Sequence, residues 1–242
     1  AAVNVSGTGT SVDIEGGINS ENGGGVTASG HSTSVVVNGD VKTKAAAADA
    51  KTQSKITING NSENSGAKAP NIKANGNSSV IVSGDVNSEA DTGISASSNA
   101  DVTVGGNVSG GTYGIYANGN GNVDKDLIEI IVGENVSGKE KAVWAKDGTS
   151  ITIGGNADSN RSGVYASDNR AQPAGTDVHV KGDVNVVTTE TKKDGTQSKP
   201  RIRESSYRCS QNMPLPKPHP DKLYRWKKEI KPKKGYYIAE LF

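Results

Sequence analysis

DVTVGGNV, residues 101–108, is the stretch on which the fold turns. From Val102 it reads apolar–x–apolar–x–Gly–Asn–apolar. The same phrase, with Asn or Asp after the glycine, starts at Val12 (VDIEGGI), Val35 (VVVNGDV), Ile56 (ITINGNS) and Val80 (VIVSGDV). It starts again at Ile130 (IIVGENV), Ile151 (ITIGGNA) and Val178 (VHVKGDV). The starts are 23, 21, 24, 22, 28, 21 and 27 residues apart. A second phrase of the GIYANG type (residues 114–119) precedes each copy. Its apolar pairs are Val3/Val5, Val26/Ala28, Ala46/Ala48, Ile72/Ala74, Ile94/Ala96, Ile115/Ala117, Val143/Ala145 and Val164/Ala166. The chain is therefore an array of about eight units of about 22 residues.

A unit this short cannot bury its apolar face alone, but it can when stacked on its neighbours. Alternating strands of three to five residues, joined by Gly/Asn/Ser turns, leave no room for crossover helices. The expected architecture is an all-β parallel β-helix with ladders of Val, Ile and Ala inside, roughly 38 Å long at about 4.8 Å per coil. Stacking also explains how a chain only 32% hydrophobic, 4% aromatic and of mean hydropathy −0.56 folds at all. Such totals otherwise resemble a disordered chain.

The Gly–Asn/Asp column belongs to the same scheme. Glycines stand at 16, 39, 60, 84, 106, 155 and 182, with Glu134 the exception; Asp40, Asn61, Asp85, Asn107, Asn135, Asn156 and Asp183 follow, with Gly17 the exception. Glycine admits backbone angles closed to other residues, and stacked Asn/Asp side chains form a hydrogen-bonded ladder. Calcium is the competing reading, but the three aspartates fall in coils two, four and eight. The sequence predicts no metal site, no cofactor and no catalytic group: its histidines, His31, His179 and His219, are scattered, and the outward column of the VTV-type phrase holds only Asp13 as a carboxylate. In the loop 118–129, Asn120, Asn122 and Asp124 have calcium-loop spacing, but Lys125 and Ile131 occupy positions where a calcium hand requires Gly and Glu.

These phrases, over residues 1–188, resemble in repeat style the right-handed β-helix proteins that bacteria secrete or display at their surface. The resemblance implies a right-handed, single-stranded solenoid and an extracellular, adhesin-like or glycan-handling role. The start Ala1-Ala2-Val3 fits a chain whose signal peptide has been removed, and no apolar run is long enough to span a bilayer.

The GIYANG-type phrase carries the candidate site. Its outward column reads Asn4, Thr27, Ala47, Lys73, Ser95, Tyr116, Trp144, Tyr165: five small or polar residues, then three large rings in consecutive coils. Longer loops, 118–129 and 167–177, leave one corner on either side of coil seven. An exposed aromatic strip with a polar rim marks a contact surface. Tyr116, Trp144 and Tyr165 form a strip that either the C-terminal segment covers or a glycan or partner contacts. Sugar rings stack on such faces, with Asp124, Asp126, Asp168, Asn169 and Arg170 placed to supply hydrogen bonds; Asp168 and Arg170 join the three rings as the candidate binding residues.

The chain changes character near residue 190. Residues 199–242 hold 12 Lys/Arg against 4 Asp/Glu, and the remainder 15 against 22, so +8 is set against −7 within a net charge of +1. Six of the eight prolines, six of the ten aromatics and the one cysteine, Cys209, also lie in this last stretch. The expected organisation is a solenoid over 1–190 and a basic, Pro- and aromatic-rich tail over 191–242. The IAELF end of that tail is a candidate cap for the last coil. The leading functional reading is a structural or adhesive module with a glycan or cell-surface partner. Three readings compete with it: the tail folded back over the aromatic strip, a polysaccharide-active enzyme, and binding of nucleic acid or another anionic polymer through the tail.

Overall fold

The structure, a computed structural model, describes residues 1–66, 69–119, 127–168, 175–188 and 201–204. It is an all-β parallel solenoid. Each of the eight coils contributes one strand to each of three sheets, so strands three apart in the chain are hydrogen-bonded neighbours. Coil one runs Val3–Ser6, Ser11–Ile14, Ile18–Ser20, and the pattern recurs through Ser162–Ser167, Asp177–Val180, Val184–Thr188 in coil eight. Among the described residues there is no helix.

Register follows the sequence phrases. In the second sheet Val12, Val35, Ile56, Val80, Val102, Ile130, Ile151 and Val178 form one continuous inward ladder. Each strand alternates faces, so every second side chain enters the core; Ile56, Ile58, Ile72, Ile94, Ile115, Ile130, Ile151 and Ile153 are fully buried. In the first sheet the second inward position is alanine from coil two onward, Ala28 through Ala166, and the core is narrow there. Coil three departs from the sequence reading. Its inward pair is Ala48/Ala50, not Ala46/Ala48, and its outward residue is Asp49, not Ala47. In an Ala-rich run (AAAADA, 45–50) no side chain is large enough to fix register by sequence alone; the hydrogen bonds to coils two and four fix it.

The core also carries polar groups, several of them tied to backbone. Ser54 Oγ donates to the Ala28 carbonyl at 2.9 Å and accepts from the Lys51 N–H at 3.0 Å; one coil on, Ser78 repeats this with Ala50 (3.0 Å) and Asn75 (2.9 Å). Asn71, fully buried, accepts from Ser62 Oγ and donates to the carbonyls of Ser62 and Asn87. Paired in this way, a buried amide escapes the cost of an unmade hydrogen bond.

The Asn/Asp ladder forms as the sequence predicts. The backbone N–H of Asn61 donates to Asp40 Oδ1 (2.8 Å), that of Asp85 to Asn61 (2.9 Å), and that of Asn107 to Asp85 (2.7 Å). Asn135 then donates to Asn107 (3.1 Å), Asn156 to Asn135 (2.8 Å) and Asp183 to Asn156 (2.8 Å). The reason for the preceding glycines differs from expectation: none of this column has a positive φ. A Cβ on Gly84, Gly106, Gly155 or Gly182 would collide with the side-chain oxygen of the ladder residue one coil earlier. Close approach, not backbone angle, requires glycine here. Where Glu134 replaces it, the ladder bond between Asn107 and Asn135 is the longest of the series, and Asn107 also donates to Glu134 Oε2 at 2.7 Å.

Left-handed backbone occurs at the other corner, between the first and second sheets. Ser32, Thr52, Gln53, Asn77, Ser98, Asn99, Asp147, Gly30, Gly76 and Gly148 all have positive φ there. At the far end Arg201–Glu204, from the segment read as tail, pairs antiparallel with Val184–Thr188 and adds a ninth strand to the third sheet. The IAELF cap lies outside the described residues.

Candidate functional site

Three consecutive rungs of the first sheet build the site: Tyr113–Asn118, Lys141–Lys146 and Ser162–Ser167. Their pairing places Tyr116 beside Trp144 and Trp144 beside Tyr165. All three rings are half-buried. Small inward neighbours (Ala117, Ala145, Ala166) keep the strands close to the core, so rings on the opposite face must stand out from the sheet.

Trp144 is the hub. Tyr116 meets it edge-on with centroids 5.4 Å apart, and Tyr165 does so at 6.0 Å. A fourth ring, Tyr113, approaches it at 5.2 Å and stacks on Tyr116 at 6.3 Å. Two ammonium groups lie over the indole: Lys141 Nζ at 4.7 Å and Lys146 Nζ at 4.4 Å from its centroid. Lys141 also lies 5.5 Å from the Tyr113 ring. Edge-to-face rings and cation–π contacts of this kind contribute about 0.5–1.5 kcal/mol each. The indole Nε1–H is buried without an acceptor among the described residues.

The sequence reading missed Tyr113, Lys141 and Lys146. Tyr113 and Lys141 precede the phrase's first inward residue, where the chain turns out of the third sheet, and so fell outside the column that was read. A signal was available: the only aromatic residues before residue 199 are Tyr113, Tyr116, Trp144 and Tyr165. All four meet in this one cluster.

Electrostatics at the rim are specific. Burial raises the Tyr113 phenol above its ordinary range, Glu140, Tyr116 and Asp91 push it further, and Arg161 opposes them. Tyr113 therefore stays a neutral hydroxyl throughout the physiological range. Glu140 is paired with Arg161 at 3.6 Å. Asp168 is buried directly after the coil-eight strand. Arg170, Asn169, Asp124 and Asp126 lie outside the described residues, as does most of each longer loop. Those loops do leave the corner expected of them, one after Asn118 and one after Ser167, while coil seven closes with Asp147–Gly148 alone.

On the second sheet, the outward column next to the one read from sequence sets Asp101 beside Glu129. Burial, then the Glu129 charge, raises the Asp101 carboxyl, against a lowering hydrogen bond from the Glu129 backbone. The pair sits on an exposed strand face. The aspartates of the Asn/Asp ladder serve it directly, Asp40 and Asp85 each accepting the N–H of the next coil. Among the described residues no three His, Cys, Asp or Glu side chains are grouped to hold a metal ion, and no helix is long and apolar enough to cross a membrane.

No protein-family model, curated protein or solved structure matches this chain. The functional reading therefore rests on the geometry of the cluster.

Proposed function

We propose that the protein is a secreted or surface-displayed, non-catalytic β-solenoid module that binds glycan through the aromatic cluster of coils six to eight. One observation carries this reading: every aromatic side chain before residue 199 is gathered on one half-exposed patch three rungs wide. A solenoid needs no aromatic residue to hold its coils together, as coils one to five do without them. Rings concentrated on an outer face serve contact rather than the core. Tyr and Trp present rigid apolar faces with a polar edge at small entropic cost, which suits sugar rings. The rod displays this patch on a flat sheet face, reachable by a long polymer.

The test is binding of the whole chain to a glycan array, repeated with Y116A/W144A/Y165A. Loss of array binding with an unchanged far-ultraviolet circular dichroism spectrum supports the reading. Array binding that survives the triple substitution overturns it. Release of reducing ends or uronic acids from the bound polymer would show a polysaccharide-active enzyme instead.

A further inference from the structure

We infer that the glycan taken by this cluster is acidic, with a carboxylate or sulfate seated between Lys141 and Lys146; the inference rests on the glycan reading above and names its ligand class. The first observation is what occupies Trp144. Its ring has two ammonium groups over it at 4.4 and 4.7 Å and three tyrosine rings around it. A sugar ring therefore meets the surrounding tyrosine rings more readily than the hub indole, and a neutral one laid over the indole would have to displace a lysine without replacing the contact that lysine loses. An anionic substituent meets the ammonium groups first and keeps them where they are.

The second observation is that neither lysine is ion-paired among the described residues. Among the described residues the ion pairs are Lys51–Asp49 and Arg161–Glu140; neither involves Lys141 or Lys146. Their rung neighbours are also uncharged: Tyr113 and Ser162 flank Lys141, and Asn118 and Ser167 flank Lys146. Glu140, next to Lys141 in the chain, is engaged by Arg161. Residues 1–198 carry 22 acidic against 15 basic side chains, so two lysines held on rings rather than on carboxylates are a local reversal of the surrounding charge. The aromatic contacts hold both side chains in place before a ligand arrives, which lowers the entropy lost on binding.

Nucleic acid fits less well. Grooves for single strands track the backbone with a run of cations, and this face offers Lys141 and Lys146 on a stretch, residues 1–198, with 22 acidic against 15 basic side chains.

The experiment measures binding of the whole chain to polygalacturonate (carboxylated), heparin (sulfated), dextran (neutral) and single-stranded DNA, at low and at physiological salt. Expected is binding to polygalacturonate or heparin at least about tenfold tighter than to dextran, with the preferred polymer separating the carboxylate and sulfate sources. K141Q/K146Q should lower that affinity about tenfold, and K141R/K146R should retain it; the glutamine pair should keep the parent's far-ultraviolet circular dichroism spectrum while melting a few degrees lower through loss of the cation–π contacts. Dextran bound as tightly as the acidic polymers, with no response to the lysine variants, overturns the acidic preference and leaves the glycan reading standing. An acidic preference that persists in K141Q/K146Q places it on the basic C-terminal segment and overturns the inference. DNA bound as tightly as heparin, with the same lysine dependence, overturns it as a glycan site. No binding to any polymer ends both readings.

Discussion

Two corners of the same coil behave differently. Between the second and third sheets, the step from one inward residue to the next is four residues in all eight coils, Ile14 to Ile18 through Val180 to Val184. Between the first and second sheets, the step runs from Ala50 to Ile56 in coil three but from Ala117 to Ile130 in coil six and from Ala166 to Val178 in coil eight. The first corner is held by the Asn/Asp ladder, where each coil's backbone depends on the side chain beneath it. The second is closed by left-handed residues joined from coil to coil by backbone bonds such as Gln53 N–H to the Gly76 carbonyl and Asn77 N–H to the Ser98 carbonyl, with no side-chain column running its whole length. A continuous side-chain ladder fixes the length of a corner, and backbone bonds alone leave room for loops. The aromatic cluster lies on the strands entering the tolerant corner, where coils can diverge without breaking the array.

The sharpest way to break the comparison is insertion. Two residues added between Gly155 and Asn156 should shift Ala157 and everything after it out of the ladder, costing at least about 4 kcal/mol in urea denaturation. The same two residues between Asp147 and Gly148 should cost less, about 2 kcal/mol, because they disturb the bonds of these two residues to Ser167 and Thr176 but lengthen a corner that already varies. Equal costs at the two corners would end the distinction.

The next effect is steric. Gly106→Ala places a methyl group against Asp85 Oδ1 and should cost about 1–3 kcal/mol. Gly16→Ala meets nothing within 4 Å and should stay within about 0.5 kcal/mol of the parent. Similar losses in both variants would show that backbone entropy, not contact, governs this column.

A smaller effect is electrostatic. N107D keeps the acceptor for the Asn135 N–H but sets a third carboxylate between Asp85 and Glu134. Repulsion raises the folded-state pKa of the group, so its penalty is present at neutral pH and disappears as pH falls through the carboxylate range near 4. The expected loss is about 1 kcal/mol at pH 7, closing on acidification in a thermal-melt series. A loss independent of pH would assign the amide's role to hydrogen bonding alone.

The smallest effect concerns Asp101. Its raised pKa means that charging it works against the folded state, so D101N should melt slightly higher at pH 7, by under about 2 °C, and match the parent at pH 3. A lower melting point at pH 7 would show that the hydrogen bond from Glu129 outweighs burial and repulsion.

Most of the fold was legible because one physical rule generates it. Stacked identical units turn a sequence period into a spatial column, so like letters in different copies become neighbours. That rule placed Tyr116, Trp144 and Tyr165 together and predicted the ladder from Asp40 to Asp183. It failed at coil three, where five alanines among six residues give several equivalent registers, and it misassigned the reason for the ladder glycines, since φ and contact both select the same residue. It also missed Tyr113, Lys141 and Lys146, since a column argument sees only residues at matching positions.

The amino-acid sequence by itself determined the period, the inward Val/Ile/Ala columns of two phrases, and which coils carry rings, because burial of an alternating pattern admits one face; the third side of the coil came from the structure. Only the tertiary structure decided how those rings meet: edge to face around one indole, with two lysines lying on it. Side-chain orientation depends on neighbours in three coils at once, and that information is nowhere contiguous in the chain.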